Sequence, residues 1–139
     1  MNKIRRDTLD DLFSQVVRMS VYSDGEASCE YCGRVYHDTV KDNGETFEAW
    51  KHLECSHFKG RRRVSTRHDL DNCAALCKSC HRFLGENPDT HTAFFKKRLG
   101  SDKYDNLQAR ANTICKLSKA DKEEIKARLK SKLAILKEE

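Results

Sequence analysis

The chain has 139 residues, 37% hydrophobic and 35% charged, with a formal net charge of +5 at pH 7. That length fits one compact domain with a small extension, and so thin an apolar share asks for a staple such as a metal ion. The start MNKIRRDTLDDLF has no apolar targeting core and no stretch is apolar enough to span a bilayer, so the expectation is a cytoplasmic protein with no membrane partner.

In chain order, DTLDDLFSQVVRM (Asp7 to Met19) places Leu9, Leu12, Phe13 and Val16 at helical spacing, which predicts an amphipathic helix packed on the body. YSDGEAS breaks that pattern. CEYCGR (Cys29 to Arg34) is a cysteine knuckle whose glycine suits a tight turn. Asn43-Gly44 signals a second turn. FEAWKHLECSHF (Phe47 to Phe58) predicts a strand in its second half, ending near His57. KGRRRVSTRHDLDN (Lys59 to Asn72) is a polar loop, and CAALC (Cys73 to Cys77) is a second strand. KSCHRFLG opens a short helix, which Asn87-Pro88 stops. PDTHTAFFKKRLG, with Pro88 at its start and Gly100 at its end, predicts a helix, and SDKYDNLQARAN another. SKADKEEIKARLKSKLAILKEE closes the sequence as a helix capped by Ser118, though Asp121 stands where a capping box prefers Glu. Its stripe of Ile125, Leu129, Leu133 and Leu136 suits packing on the domain, with a homodimer seam as the alternative. The fold class expected is α+β: an N-terminal helical extension (1–24), a zinc-containing core domain (25–112) and a C-terminal amphipathic helix (113–139).

Four of the seven cysteines form two C-x-x-C pairs, Cys29/Cys32 and Cys77/Cys80. Two such knuckles meeting on one ion make a tetrahedral structural Zn²⁺ site, and the long insert between them costs little extra loop entropy. Absent export signals, metal is favoured over disulfides. Cys55, Cys73 and Cys115 read as small buried hydrophobes. A closed four-thiolate site has no open position for water, so any chemistry needs other groups. His81 follows Cys80 at the start of a helix, His57 ends the first strand, and Asn72 precedes the second. A strand pair followed by a helix, with His, Asn and His at its corners, suits hydrolysis of a phosphate ester. Neutral His57 can take a proton from water, and its other ring nitrogen needs an acceptor, either a backbone carbonyl or the Asn72 amide. His81 can hold one divalent ion, Mg²⁺ or Mn²⁺, preferably with a carboxylate. Glu54 is the first candidate, although strand alternation turns it away from His57 unless the strand twists or bulges. Asp69 and Asp71 are others, with turn capping as their plainer role.

CEYCG, ECSHF, DLDN and ALCKSCH together resemble the HNH, or ββα-metal, nucleases that carry a four-cysteine zinc. The resemblance implies His57 as general base, Asn72 as the residue orienting the catalytic loop or the base, and His81 as catalytic metal ligand. From Cys29 to Asn112 the chain is also similar to the phage NinG/Rap recombination proteins, on AFFKKRLGSDKYDNLQARAN, the acidic residue three before the histidine (Glu54) and Arg67. That likeness implies a DNA endonuclease acting on branched recombination intermediates in a phage or prophage setting. Ser56, directly before His57, departs from the Asp or His common in HNH proteins. Lys59, Arg61, Arg62, Arg63 and Arg67 give the loop after His57 five basic residues and no acid before Asp69, a candidate surface for the DNA backbone, with Arg67 expected nearest the scissile phosphate. The alternative function is a zinc-stabilised DNA-binding module without catalysis.

Overall fold

A computed structural model describes residues 5–138. Helix α1 (Thr8–Met19) begins in a reciprocal cap: the Asp7 carboxylate accepts from the Asp10 N–H at 2.9 Å and the Asp10 carboxylate accepts from the Asp7 N–H at 3.0 Å. This satisfies two of the donors that a helix start leaves open. Its apolar stripe buries Phe13, Val16 and Val17 in one cluster with Leu53, the run Cys73 to Cys77, Leu84 and Phe95. The N-terminal helix is thus built into the core. Full burial of each Phe, Val or Leu among them is worth about 1.5–3 kcal/mol.

A small antiparallel sheet follows, β1 (Tyr22–Ser23), β2 (Glu26–Ser28) and β3 (Val35–His37), in that order. Asp24 and Gly25 make its first turn, both with positive φ, 52° and 75°. Two consecutive left-handed residues are what a two-residue hairpin of matching twist requires. The hairpin β4 (Thr39–Val40) and β5 (Thr46–Phe47) closes around Asn43-Gly44, with the Asn43 side chain accepting from the Glu45 N–H.

The site rests on the next three elements. Strand β6 (Leu53–His57) pairs antiparallel with β7 (Cys73–Cys77), Leu53 opposite Cys77 and His57 opposite Cys73, and α2 (Lys78–Glu86) leaves β7 directly. β7 is buried along its whole length, as its unbroken apolar sequence requires. Helices α3 (Pro88–Leu99) and α4 (Ser101–Ala111) wrap the far side, joined at Gly100 with φ 81°. The structure is therefore α+β, a ββα core with flanking helices.

Helix α5 (Lys119–Glu138) lies on α1. Leu129 is buried, and Ile125, Leu133 and Leu136, partly buried, pack against the same core, so the stripe packs on the domain. Its start does close a capping box: the Asp121 N–H donates to Ser118 Oγ and the Ser118 N–H donates to Asp121 Oδ2, at 3.0 and 2.9 Å. Asp at the third position reaches back as well as Glu here.

Candidate metal centre and adjoining site

The β2–β3 turn carries Cys29 and Cys32, while Cys77 ends β7 and Cys80 lies in the first turn of α2. The four sulfurs lie within 4.8 Å of one another, and the Cys32 and Cys77 Sγ atoms are 3.9 Å apart. Tetrahedral zinc with Zn–S bonds of about 2.3 Å sets sulfurs about 3.8 Å apart, so the donor set fits that ion. The knuckle has its supporting bonds: the Gly33 N–H donates to the Cys29 carbonyl at 3.0 Å and the Arg34 N–H lies 3.5 Å from Cys32 Sγ. Gly33 has φ 78°, which a side chain would strain. Burial first, and then the neighbouring thiols, push the Cys80 thiol far up; a divalent cation reverses that preference by neutralising crowded thiolates. Glu30, between the two first cysteines, ties this knuckle to the hairpin. Its carboxylate accepts from the Ala75 N–H at 2.6 Å and from Arg98 at 3.0 Å. Arg98, from the basic end of α3, is thus engaged inside the fold.

His81 projects from the first turn of α2, next to Cys80 of the four-thiol cluster. Its Nδ1 lies 2.8 Å from Glu54 Oε1, and both side chains are about two-fifths exposed (40% and 43%). Glu54 therefore faces α2, and the carboxylate favoured from sequence does meet the helix histidine. Strand alternation then turns His57 the other way. It shares its face with Cys55 and Cys73 and packs against Phe13 of α1, ring centroids 5.8 Å apart. The structure thus joins Glu54 to His81 and sets His57 on the opposite face, at the end of β6.

His57 Nε2 lies 2.9 Å from the Arg67 carbonyl oxygen. A carbonyl only accepts, so Nε2 carries the proton and Nδ1 the lone pair. Burial lowers the His57 pKa, outweighing the opposing effect of that carbonyl, so the ring is neutral at neutral pH. Of the two acceptors open from sequence, the backbone carbonyl is the one used. Asn72 does other work. Fully buried, it accepts from the Lys59 N–H at 2.7 Å and donates to the carbonyls of Lys59 and Thr66 at 2.9 and 3.1 Å. It stitches together the loop that follows His57.

The basic loop is held from within. Arg67 grips both carboxylate oxygens of Asp10, its Nε–Oδ1 distance being 2.9 Å, and also donates to the Arg5 carbonyl. Its side chain is 16% exposed. Asp10 occupies its guanidinium fork, so Arg67 pins the loop to α1. Arg61 also approaches Asp10, at 3.6 Å, and Arg63 donates to the Ala111 carbonyl and to Asn112 at the end of α4. Lys59 lies over the Phe58 ring. Asp69 and Asp71 receive Arg110 of α4, at 2.7 and 3.3 Å, while Asp69 also caps the turn by accepting from the Asp71 N–H. They are anchors for α4.

Asp10 and His68 are the residues that sequence reasoning missed. His68 Nε2 lies 3.0 Å from Asp10 Oδ1, so one buried carboxylate serves Arg67, His68, Arg61 and the helix cap. Burial alone would raise the Asp10 pKa, but the hydrogen bonds from Arg67, the Asp7 N–H and His68 outweigh it and hold the carboxyl well below the usual range. The only local signal was the Asp7/Asp10 spacing; the pairing with residues 57 and 58 positions away has no sequence signature. Asp10→Ala should cost about 3–5 kcal/mol, because it leaves a half-buried guanidinium without its anion. A urea denaturation midpoint close to that of the wild type would show that this hub does not hold the loop.

No helix among the described residues is long and apolar enough to cross a membrane. No curated protein and no solved structure matches the chain. Residues 29–86, from the first cysteine of the four-thiol cluster to the end of α2, match the family model described as HNH endonuclease.

Proposed function

We propose that the protein is a metal-dependent DNA endonuclease that hydrolyses phosphodiester bonds, with His57 as general base and His81, assisted by Glu54, as ligand of a catalytic Mg²⁺ or Mn²⁺. The observation that carries this reading is the Glu54–His81 contact: a carboxylate and an imidazole, both partly exposed, meet beside a zinc-clamped helix start. An ion bound there would polarise the scissile phosphate and stabilise the departing oxygen. One imidazole and one carboxylate leave its remaining positions to water and phosphate oxygens. His57 acts through its lone pair on Nδ1, and the Arg67 carbonyl fixes the tautomer that supplies it. Asn72 serves as a positioning residue, holding the loop that sets the Arg67 carbonyl. Branched recombination intermediates as substrate, and a phage or prophage setting in a bacterial cytoplasm, rest on the likeness of residues 29–112 to the NinG/Rap proteins.

A second reading, DNA binding without catalysis, draws on the packing of His57 against α1, away from Glu54. A nicking assay on supercoiled plasmid and on branched oligonucleotides, with and without divalent metal, separates the two. The nuclease requires metal-dependent cleavage, stronger on branched substrates. Tight binding with no cleavage under any divalent ion selects the binding module.

For the DNA surface, Lys59→Gln and Arg62→Gln should each lower the slope of log affinity against log salt by about one. An unchanged slope in both would remove this loop from the interface. Arg63→Gln should act differently, loosening the loop from α4 through the lost bonds to Ala111 and Asn112.

A further inference from the structure

We infer that Cys55, His57 and Cys73 form a second metal site, distinct from the four-cysteine centre, that takes a thiophilic divalent ion such as Zn²⁺ and, when filled, occupies the lone pair of His57. One donor atom from each residue lies within 4.8 Å of the other two. The hairpin register explains why: Cys55 and His57 are two apart on β6 and share a face, and Cys73 stands directly opposite His57 on β7. Two thiolates and an imidazole are the donors that soft or borderline ions select over Mg²⁺. Bound as thiolates, the cysteines exactly balance the charge of a divalent ion, which limits the cost of holding it in a half-buried place. Cys73 is fully buried, whereas Cys55 and His57 are only partly so, which leaves a way in.

A second feature points the same way. Metal-bound histidines nearly always donate their other ring N–H to a carbonyl or carboxylate, which fixes the tautomer. His57 already donates Nε2–H to the Arg67 carbonyl at 2.9 Å, leaving Nδ1 as the donor for an ion. The neighbouring Asp7, Asp10 and His68 group has donors in reach too, but its carboxylates are already neutralised by Arg67. Three protein donors leave a fourth position for water or an incoming oxygen. Binding releases the thiol protons, so it strengthens as pH rises.

The consequence rests on His57 being the base: an ion on Nδ1 removes the group that activates water, so excess zinc silences cleavage. The test begins with protein loaded with one zinc per chain and titrates it with Co²⁺. Thiolate-to-cobalt charge-transfer absorption should appear and saturate at one equivalent, and should vanish in Cys55→Ser and Cys55→Ala. The Glu54–His81 pair has no sulfur and cannot give that band. No band in the wild type, or a band that survives both variants, overturns the site. In the nicking assay, micromolar zinc should slow the wild type at least tenfold and leave Cys55→Ala largely resistant. If His57→Ala cleaves like the wild type, the base assignment fails, while the cobalt band still decides the metal site on its own.

Discussion

His57→Ala should lower DNA cleavage about 10²- to 10⁴-fold, the range that a positioned general base contributes. Binding to DNA should change little if the basic loop, and not this ring, makes the phosphate contacts. The substitution also removes one hydrogen bond to the Arg67 carbonyl, worth about 1 kcal/mol. A small loss in the denaturation midpoint is therefore expected, far too small to explain the loss of rate. Added imidazole should restore part of the cleavage if the missing group is a base. Cleavage at near wild-type rate would reject the role of His57 directly.

The same residue sets the pH response. A base must be unprotonated, and burial lowers the His57 pKa below its ordinary value of about 6.5. Cleavage should therefore stay on its plateau to a pH below that value and fall only as the folded pKa is crossed. Stability follows the same sign. The unfolded chain takes up the proton first, so the stabilising contribution is complete above about 6.5 and is lost as pH falls through the lowered value. His68 and His91 are lowered too, chiefly by burial, and add to the same acid-side loss. Urea midpoints that rise on acidification would contradict this.

How far the sequence could be read depended on the range of the interaction. CAALC is uniformly apolar because β7 is buried throughout, and the two C-x-x-C pairs carry their own geometry, so β6, β7, α2 and the zinc cluster were legible. Helices α1, α3, α4 and α5 were legible from periodicity and caps. Strands β1 to β5 are two or three residues each, too short for alternation to register, and the Asp24-Gly25 hairpin looked only like a break. The α2 face of β6 could be assigned only once His81 was seen beside Glu54. The arginine loop shows the opposite failure. Its charge was legible, but its destination was not, because Asp10 neutralises two of its members from another element. Cys55 and Cys73 look like packing residues in sequence, and only the strand register brings them to His57.

Removal of zinc from the four-cysteine centre is expected to have the largest effect on the fold. A structural zinc of this kind contributes on the order of 10–16 kcal/mol of binding free energy, against a total stability of about 5–15 kcal/mol for an ordinary domain. The geometry explains why the loss cannot be absorbed locally. Cys29 and Cys32 belong to the small β1–β3 sheet, while Cys77 and Cys80 join the end of β7 to α2. An ion held by all four sulfurs would link the sheet to the ββα core, where the direct bonds beside it join Glu30 to Ala75 and Arg98. Without the ion, the knuckles lose the charge that lets four sulfurs share one small volume, and α2 loses the clamp at its start. His81 would then no longer be held toward Glu54. Cys80→Ser, at a buried ligand, should abolish cooperative unfolding. Cys32→Ser, at the exposed one, should give a weaker, metal-dependent fold that excess zinc partly rescues. A strong chelator should convert the wild type to the Cys80→Ser state, with loss of the sigmoidal thermal transition followed by circular dichroism. A sharp transition that persists after complete zinc loss, verified by elemental analysis, would mean that the apolar cluster around Phe13, Leu76 and Leu84 holds the core together without the metal.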